Sequence, residues 1–176
     1  MLIRLLYYKL HYKRKFKLNS LKVGIESNTQ LIIDSHKNSQ IILGEINYFY
    51  RFGNLEVYDG GKIELGNNIS INKGFCIVSR LLIKIGNDVM IGPNFLAYDH
   101  NHKFDDSGKS FNKQGYISKP IIIENNVWIG GNVFIASGVT IGSNAVIAAG
   151  SVVTKDVEKG NLVAGNPAKI VKLISE

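Results

Sequence analysis

Residues 121–157 read IIIENNVWIGGNVFIASGVTIGSNAVIAAGSVVTKDV, and an aliphatic residue returns every sixth position through them. The row runs Ile123, Ile129, Ile135, Ile141, Ile147, Val153, with a companion row at Val127, Val133, Val139 and Ala145. A period of six fits neither a helix nor an ordinary strand; it is the signature of a parallel β-helix whose repeating unit is one short strand plus a corner. Alternation within each hexad turns the residue two places earlier inward as well, which explains the companion row. Glycines follow the aliphatic at Gly86, Gly92, Gly130 and Gly142, where tight corners favour small residues.

The period continues upstream. Val57, Ile63, Ile69, Phe75 and Leu81 keep the spacing beside Leu65, Ile71, Ile77 and Ile83, and Val23, Ile25 and Leu31 fit more loosely. With three hexads closing one triangular turn, segments 23–97 and 121–157 supply about six coils stacked roughly 4.8 Å apart. The expected fold is all-β: a left-handed parallel β-helix of hexapeptide repeats over 23–160, with a protruding loop and a short C-terminal helix. The loop is 98–120, YDHNHKFDDSGKSFNKQGYISKP, a non-repeating excursion of a length that usually carries function. The helix is expected in the tail 161–176, where Pro167 suits a first helical position and Ile170, Val171, Leu173 and Ile174 suit one face.

The 176 residues, 45% hydrophobic and 20% charged, suffice for one globular domain. Lys and Arg total 21 against 14 acids, a formal +7, and seven of those bases lie in residues 1–22, which contain no Asp or Glu. The rest of the chain is formally neutral, which argues against a body built for nucleic acid. Two readings of the basic segment 1–22 stand. One is a surface helix on anionic lipid; the other is an arm packed on the first coil with its bases in solvent. The single cysteine, Cys76, cannot form an internal disulfide and suits a reducing compartment. No apolar run reaches the ~18–20 residues of a membrane span, and charges at Arg4 and Lys9 interrupt any signal-peptide core. A cytoplasmic protein is expected, with peripheral contact at the inner membrane surface through residues 1–22 as one option.

The loop opens Asp99-His100-Asn101-His102. Imidazole is suited to take a proton near neutral pH, and a carboxylate such as Asp99, Asp105 or Asp106 can hold its tautomer. A structural reading, in which one His caps a coil, stands beside it. Two histidines without further ligands are a weak metal signal, and no metal is expected. Three convergent histidines for a zinc β-helix are lacking, and Thr only at 29, 140 and 154 argues against an ice-binding array.

The coils, the His-bearing loop, and then NNVWIG, IASGVTIG, VIAAGSVVTKDV and AGNPAKIVK together resemble the hexapeptide-repeat acyltransferases, in the branch of maltose/galactoside and polysaccharide O-acetyltransferases. The resemblance covers about residues 57–174. It implies acetyl-CoA as cosubstrate, a homotrimer with active sites between subunits, and a sugar or glycan acceptor. A gapless match of IGPNFLAYDHNH places the family's catalytic histidine at His102, with His100 the competing choice. Asn72 falls where relatives hold the sugar, and Asp99 is a second candidate contact there. Trp128 matches a tryptophan lining the acetyl-CoA site, and Gly131, Ala149, Thr154 and Lys155 match the stretch along pantetheine and pyrophosphate. Lys169 and Lys172 match basic tail positions near the 3′-phosphate, where relatives often carry Arg, a different phosphate ligand.

The implied reaction is direct transfer of acetyl to a sugar hydroxyl, possible acceptors including a surface-polysaccharide precursor, without a covalent acyl-enzyme. Transfer to an amino sugar or antibiotic, and a non-catalytic β-helix scaffold, stand as alternatives.

Overall fold

In the computed structural model, residues 2–19, 22–36 and 38–174 are described; the outer ends of the basic segment and of the tail, Met1 and 175–176, lie outside them. Short strands stack in three parallel sheets, which form the faces of a three-sided solenoid. Face one holds Phe16–Leu18, Gln40–Leu43, Lys62–Leu65, Leu82–Ile85, Ile121–Ile123 and Thr140–Ile141. Face two runs from Gly24–Ile25 through Met90–Ile91 and Trp128–Ile129 to Asn161–Gly165, and face three from Gln30–Ile33 through Leu96–Tyr98 to Val152–Val153. Six strands on face three count about six coils, as the period predicts.

The register is in phase with the hexads. Ile83 lies against Ile121, Ile91 against Ile129, and Ala97 against Ile135. The two aliphatic rows point inward, and every member from Ile123 to Ile147 is at most 1% exposed. Complete burial of each such side chain contributes on the order of 1.5–3 kcal/mol. Where the companion row reaches Ser151, a buried hydroxyl replaces the methyls; it donates to the Ala148 carbonyl and accepts from Gly165 N, so its polarity is met.

Corners are satisfied in columns. The Asn67 side chain accepts from Glu45 N, Asn87 from Asn67 N, and Asn125 from Asn87 N, each at 2.8 Å. Left-handed corner residues are mostly Asn and Asp, among them Asn68, Asp88, Asn126 and Asn144, the side chains that tolerate positive φ best after glycine. At the corner between faces two and three, backbones press together: a Cβ on Gly130 would sit 2.5 Å from Ala149 N.

Three expectations change. Leu81, placed in the inward row, is 45% exposed, because the Asp99 carboxylate draws the amides of residues 80–82 into a turn and swings Leu81 outward. The tail is no helix: Ala168–Leu173 forms an antiparallel strand against Asn161–Gly165, so the apolar residues alternate along an edge strand and the last coil ends in a hairpin. The solenoid also begins ahead of residue 23, since Phe16–Leu18 pairs in parallel with Gln40–Leu43.

The basic segment packs on the first coil. Helix Leu2–Tyr12 buries Leu5 and Tyr8 against the open end of the core, and the Tyr8 and Tyr12 hydroxyls donate to the Thr29 and Leu31 carbonyls. Leu6, Tyr7 and Leu10 remain exposed on its outer side. No helix among the described residues is long and apolar enough to cross a membrane.

Ile129→Ala, in the middle of the inward row, is expected to cost about 2–5 kcal/mol. Urea unfolding followed by circular dichroism should show a lower midpoint at unchanged m; a shift below 1 kcal/mol would mean the coils are not close-packed there.

Candidate active site

The excursion leaves and rejoins the solenoid at one corner, between faces three and one. Its stem is a two-stranded antiparallel ladder, His100–His102 against Tyr116–Ser118, with His102 directly opposite Tyr116. The neck is closed from the next coil, because the Asp99 carbonyl accepts from Lys119 N and Ser137 Oγ, each at 2.8 Å.

Asp99 itself is wholly buried. Its carboxylate accepts from Ser79 Oγ (2.7 Å) and from the amides of Arg80, Leu81 and Leu82 at 2.7–2.8 Å, and it faces His100 Nδ1 at 3.1 Å. Burial by itself pushes this carboxyl up. The bonds from His100, the Arg80 amide, Ser79 and the Leu81 amide outweigh it and hold the group below the ordinary Asp value. Asp99 therefore cannot touch an acceptor, which corrects its reading as a substrate contact; it fastens the loop root and orients His100.

The two histidines differ. His100 is largely covered, its side chain 14% exposed, with Nδ1 committed to Asp99. His102 is exposed, and its ring makes no hydrogen bond among the described residues. It lies 4.4 Å from the Tyr116 ring, centroid to centroid, and lines a cavity of about 420 Å³ with Lys103, Phe104, Phe111 and Asn112. Tyr98, 6.3 Å from His100, is pushed up to about 12 by burial and by its bond with Cys76, so it stays a neutral phenol. Burial also raises the Cys76 thiol, which leaves it a poor nucleophile.

The other candidates fall in two columns. Asn72, Gly131 and Ala149 sit at the corner between faces two and three, away from the histidine corner. Asn72 is exposed, accepts from Lys73 N at 2.7 Å, and lines a cavity of about 430 Å³ with Tyr50, Arg51 and Lys73. Thr154 and Lys155 share the histidine corner two coils on and line one cavity of about 340 Å³ with Lys169 of the tail hairpin. Lys172, on the same edge strand, is exposed outside that lining. Trp128 is 56% exposed on face two, in register with Met90 and Val146, above a cavity of about 560 Å³ that Lys159 and Leu173 also line. Among the described residues no group of three His, Cys, Asp or Glu converges as metal ligands.

Two residues escape the sequence reading. Arg80 and Tyr116 lie 36 positions apart, yet the Arg80 guanidinium carbon is 3.7 Å from the Tyr116 ring centroid. Their meeting depends on the loop ladder and on the corner at residues 79–82, so residue spacing alone carries no signal of it.

Residues 120–155 match the family model of the bacterial transferase hexapeptide (six repeats). A hexapeptide-repeat acetyltransferase from Vibrio cholerae, solved with acetyl coenzyme A, superposes with a TM-score of 0.68 at 37% identity, covering 76% of this chain and 70% of that one. The galactoside O-acetyltransferase of Escherichia coli K12 is 38% identical over 66% of this chain and 57% of its own length. The polysialic acid O-acetyltransferase of E. coli O1:K1 is 40% identical over 78% of this chain and 41% of its own. The chain therefore belongs to the hexapeptide-repeat acetyltransferases, enzymes that take their acyl group from acetyl-CoA. Within that family it groups with the sugar O-acetyltransferases.

The Asp99 site predicts a pH signature. Because its folded carboxyl lies below the unfolded value of about 3.9, its contribution is complete above that value and is lost as pH falls through the folded one. Asp99→Asn should cost about 1–3 kcal/mol at pH 7. The gap from the parent protein should close at strongly acid pH, as read by unfolding at several pH values; a gap independent of pH would remove the charge from the explanation.

Proposed function

We propose that this protein transfers the acetyl group of acetyl-CoA to a sugar hydroxyl, within a surface-polysaccharide precursor, with His102 as general base. The observation that carries this reading is the placement of an exposed imidazole on a loop whose root is pinned by a buried carboxylate. His102 takes the acceptor hydroxyl proton as that oxygen attacks the thioester carbonyl. The C–O bond forms, the C–S bond breaks, and the imidazolium returns the proton to the departing thiolate. Backbone N–H groups at the coil edge are suited to the oxyanion. Cys76 is poorly nucleophilic, and the Ser79 hydroxyl commits its one proton to the Asp99 carboxylate 2.7 Å away, which favours direct transfer over an acyl-enzyme.

Thr154, Lys155 and Lys169, around one cavity, are the proposed pyrophosphate and 3′-phosphate contacts, with Lys172 close by on the same strand and Trp128, Gly131 and Ala149 along the pantetheine. Asn72 is the proposed acceptor contact. A prism cannot bring two of its own corners together, so a site that uses both columns is completed by a neighbouring copy. A homotrimer, closed by rotation, supplies that neighbour.

His102→Ala should lower turnover by about 10²–10⁴-fold while coenzyme A binds unchanged by calorimetry. Thiol release with a panel of glycosides is the assay; near-normal turnover would transfer the role to His100.

The helix at the solenoid's open end is proposed to lie on an anionic membrane surface, on the cytoplasmic side. Its outer side joins exposed Leu6 and Leu10 to Lys9, Lys13 and Arg14, an apolar and basic combination suited to acidic lipid. The protein should sediment with phosphatidylserine vesicles at 0.1 M salt and not with phosphatidylcholine vesicles. Leu10→Ser or 0.5 M salt should release it; binding that ignores both would refute the contact.

A further inference from the structure

We propose that Tyr116 is a positioning residue for His102, held against the solenoid by Arg80. The inference rests on His102 as the base. Tyr116 and His102 are direct partners in the antiparallel ladder, and their rings meet at 4.4 Å with an interplanar angle of 43°. The same tyrosine ring stands edge-on to His100 at 5.5 Å. One aromatic thus bounds both imidazoles.

The tyrosine ring is also braced from the coils. Arg80 lies over the Tyr116 ring at 3.7 Å and near the Tyr58 ring at 5.5 Å, so the guanidinium sits by two phenols. Three further features fix it. Its Nη1 pairs with Asp59, its backbone amide bonds to Asp99, and its side chain is only 19% exposed. The buried Nε has no hydrogen-bond partner among the described residues. Stacking on an aromatic face is an interaction a guanidinium makes and an ammonium makes poorly. Asp99 and Arg80 therefore act on the loop from one corner: Asp99 orients His100 and closes the turn, and Arg80, through Tyr116, sets the plane of His102.

The consequence is kinetic. Proton transfer needs the base within hydrogen-bond reach of the acceptor hydroxyl, and a shift of about 1 Å can cost about 10²-fold. Tyr116→Leu removes the platform and Tyr116→Phe keeps it. Arg80→Lys keeps the charge beside Asp59 and loses the guanidinium over the Tyr116 ring.

The test uses the full chain and acetyl-CoA, with water as the acceptor, so that no sugar need be known. Tyr116→Leu is expected to lower kcat for thiol release about 10–100-fold with the Kd for coenzyme A within twofold, and Arg80→Lys about tenfold. Tyr116→Phe should stay within threefold. Ring protons of His102, assigned by loss of their NMR signals in His102→Gln, should move in Tyr116→Leu and hold in Tyr116→Phe, since the tyrosine ring current acts at this distance. Ile117→Ala, next along the strand with a side chain 52% exposed, controls for general loosening of the loop. Equal losses in Ile117→Ala and Tyr116→Leu would overturn the proposal, as would Tyr116→Leu turnover within threefold of the parent or unmoved His102 signals. Should His102→Ala keep its turnover, the base assignment falls instead, and the ring-proton shifts still decide whether Tyr116 sets that imidazole.

Discussion

Each strand within the coils hydrogen-bonds in parallel to the strands one coil above and below, so every coil must repeat the same three-sided path. That constraint governs the molecule. It lines up inward aliphatics in columns, stacks corner asparagines so that each side chain satisfies the amide of the preceding coil, and leaves no room for a Cβ at Gly130. Extra chain can be added only where it leaves and returns at a corner, because a residue inserted within a strand would put the rows on either side out of register.

The 98–120 excursion obeys that rule, and its root shows how a periodic scaffold accommodates chemistry. Asp99 is a carboxylate inside a solenoid lined almost wholly by hydrocarbon. Burying it unpaired would be costly, and the turn at 79–82 meets it with one hydroxyl and three amides. The exposure of Leu81 is part of that arrangement. The buried anion fixes the corner, the corner fixes Arg80, and the histidine ladder extends from a rigid base.

At the far end the last coil closes with a hairpin, whose edge strand brings Lys169 beside Thr154 and Lys155. At the near end helix Leu2–Tyr12 covers the open core with Leu5 and Tyr8. The helix meets a need of any such stack, which exposes its interior at an end unless something covers it. It does so while leaving leucines and bases outward: Lys9 lies on the helix and Lys13, Arg14 and Lys15 on the turn after it, while Lys17 belongs to the first strand of face one.

Residue spacing alone carries the period, hence the β-helix, the coil number, the inward rows apart from Leu81, and the place of the excursion, because a six-residue repeat of aliphatics has one economical way to bury itself. It also singled out the Asp-His-Asn-His segment, since titratable side chains clustered where a repeat breaks are visible without coordinates. Tertiary structure decided what lies between distant positions. Periodicity could not separate a short helix from an edge strand at Ala168–Leu173, because pairing with Asn161–Gly165 settles that choice. The burial of Asp99 depends on amides about 20 residues upstream, and the meeting of Arg80 with Tyr116 depends on a corner and a ladder that sequence distance conceals. Which histidine is covered and which is open follows from that packing: a carboxylate can hold only the imidazole that the fold turns toward it.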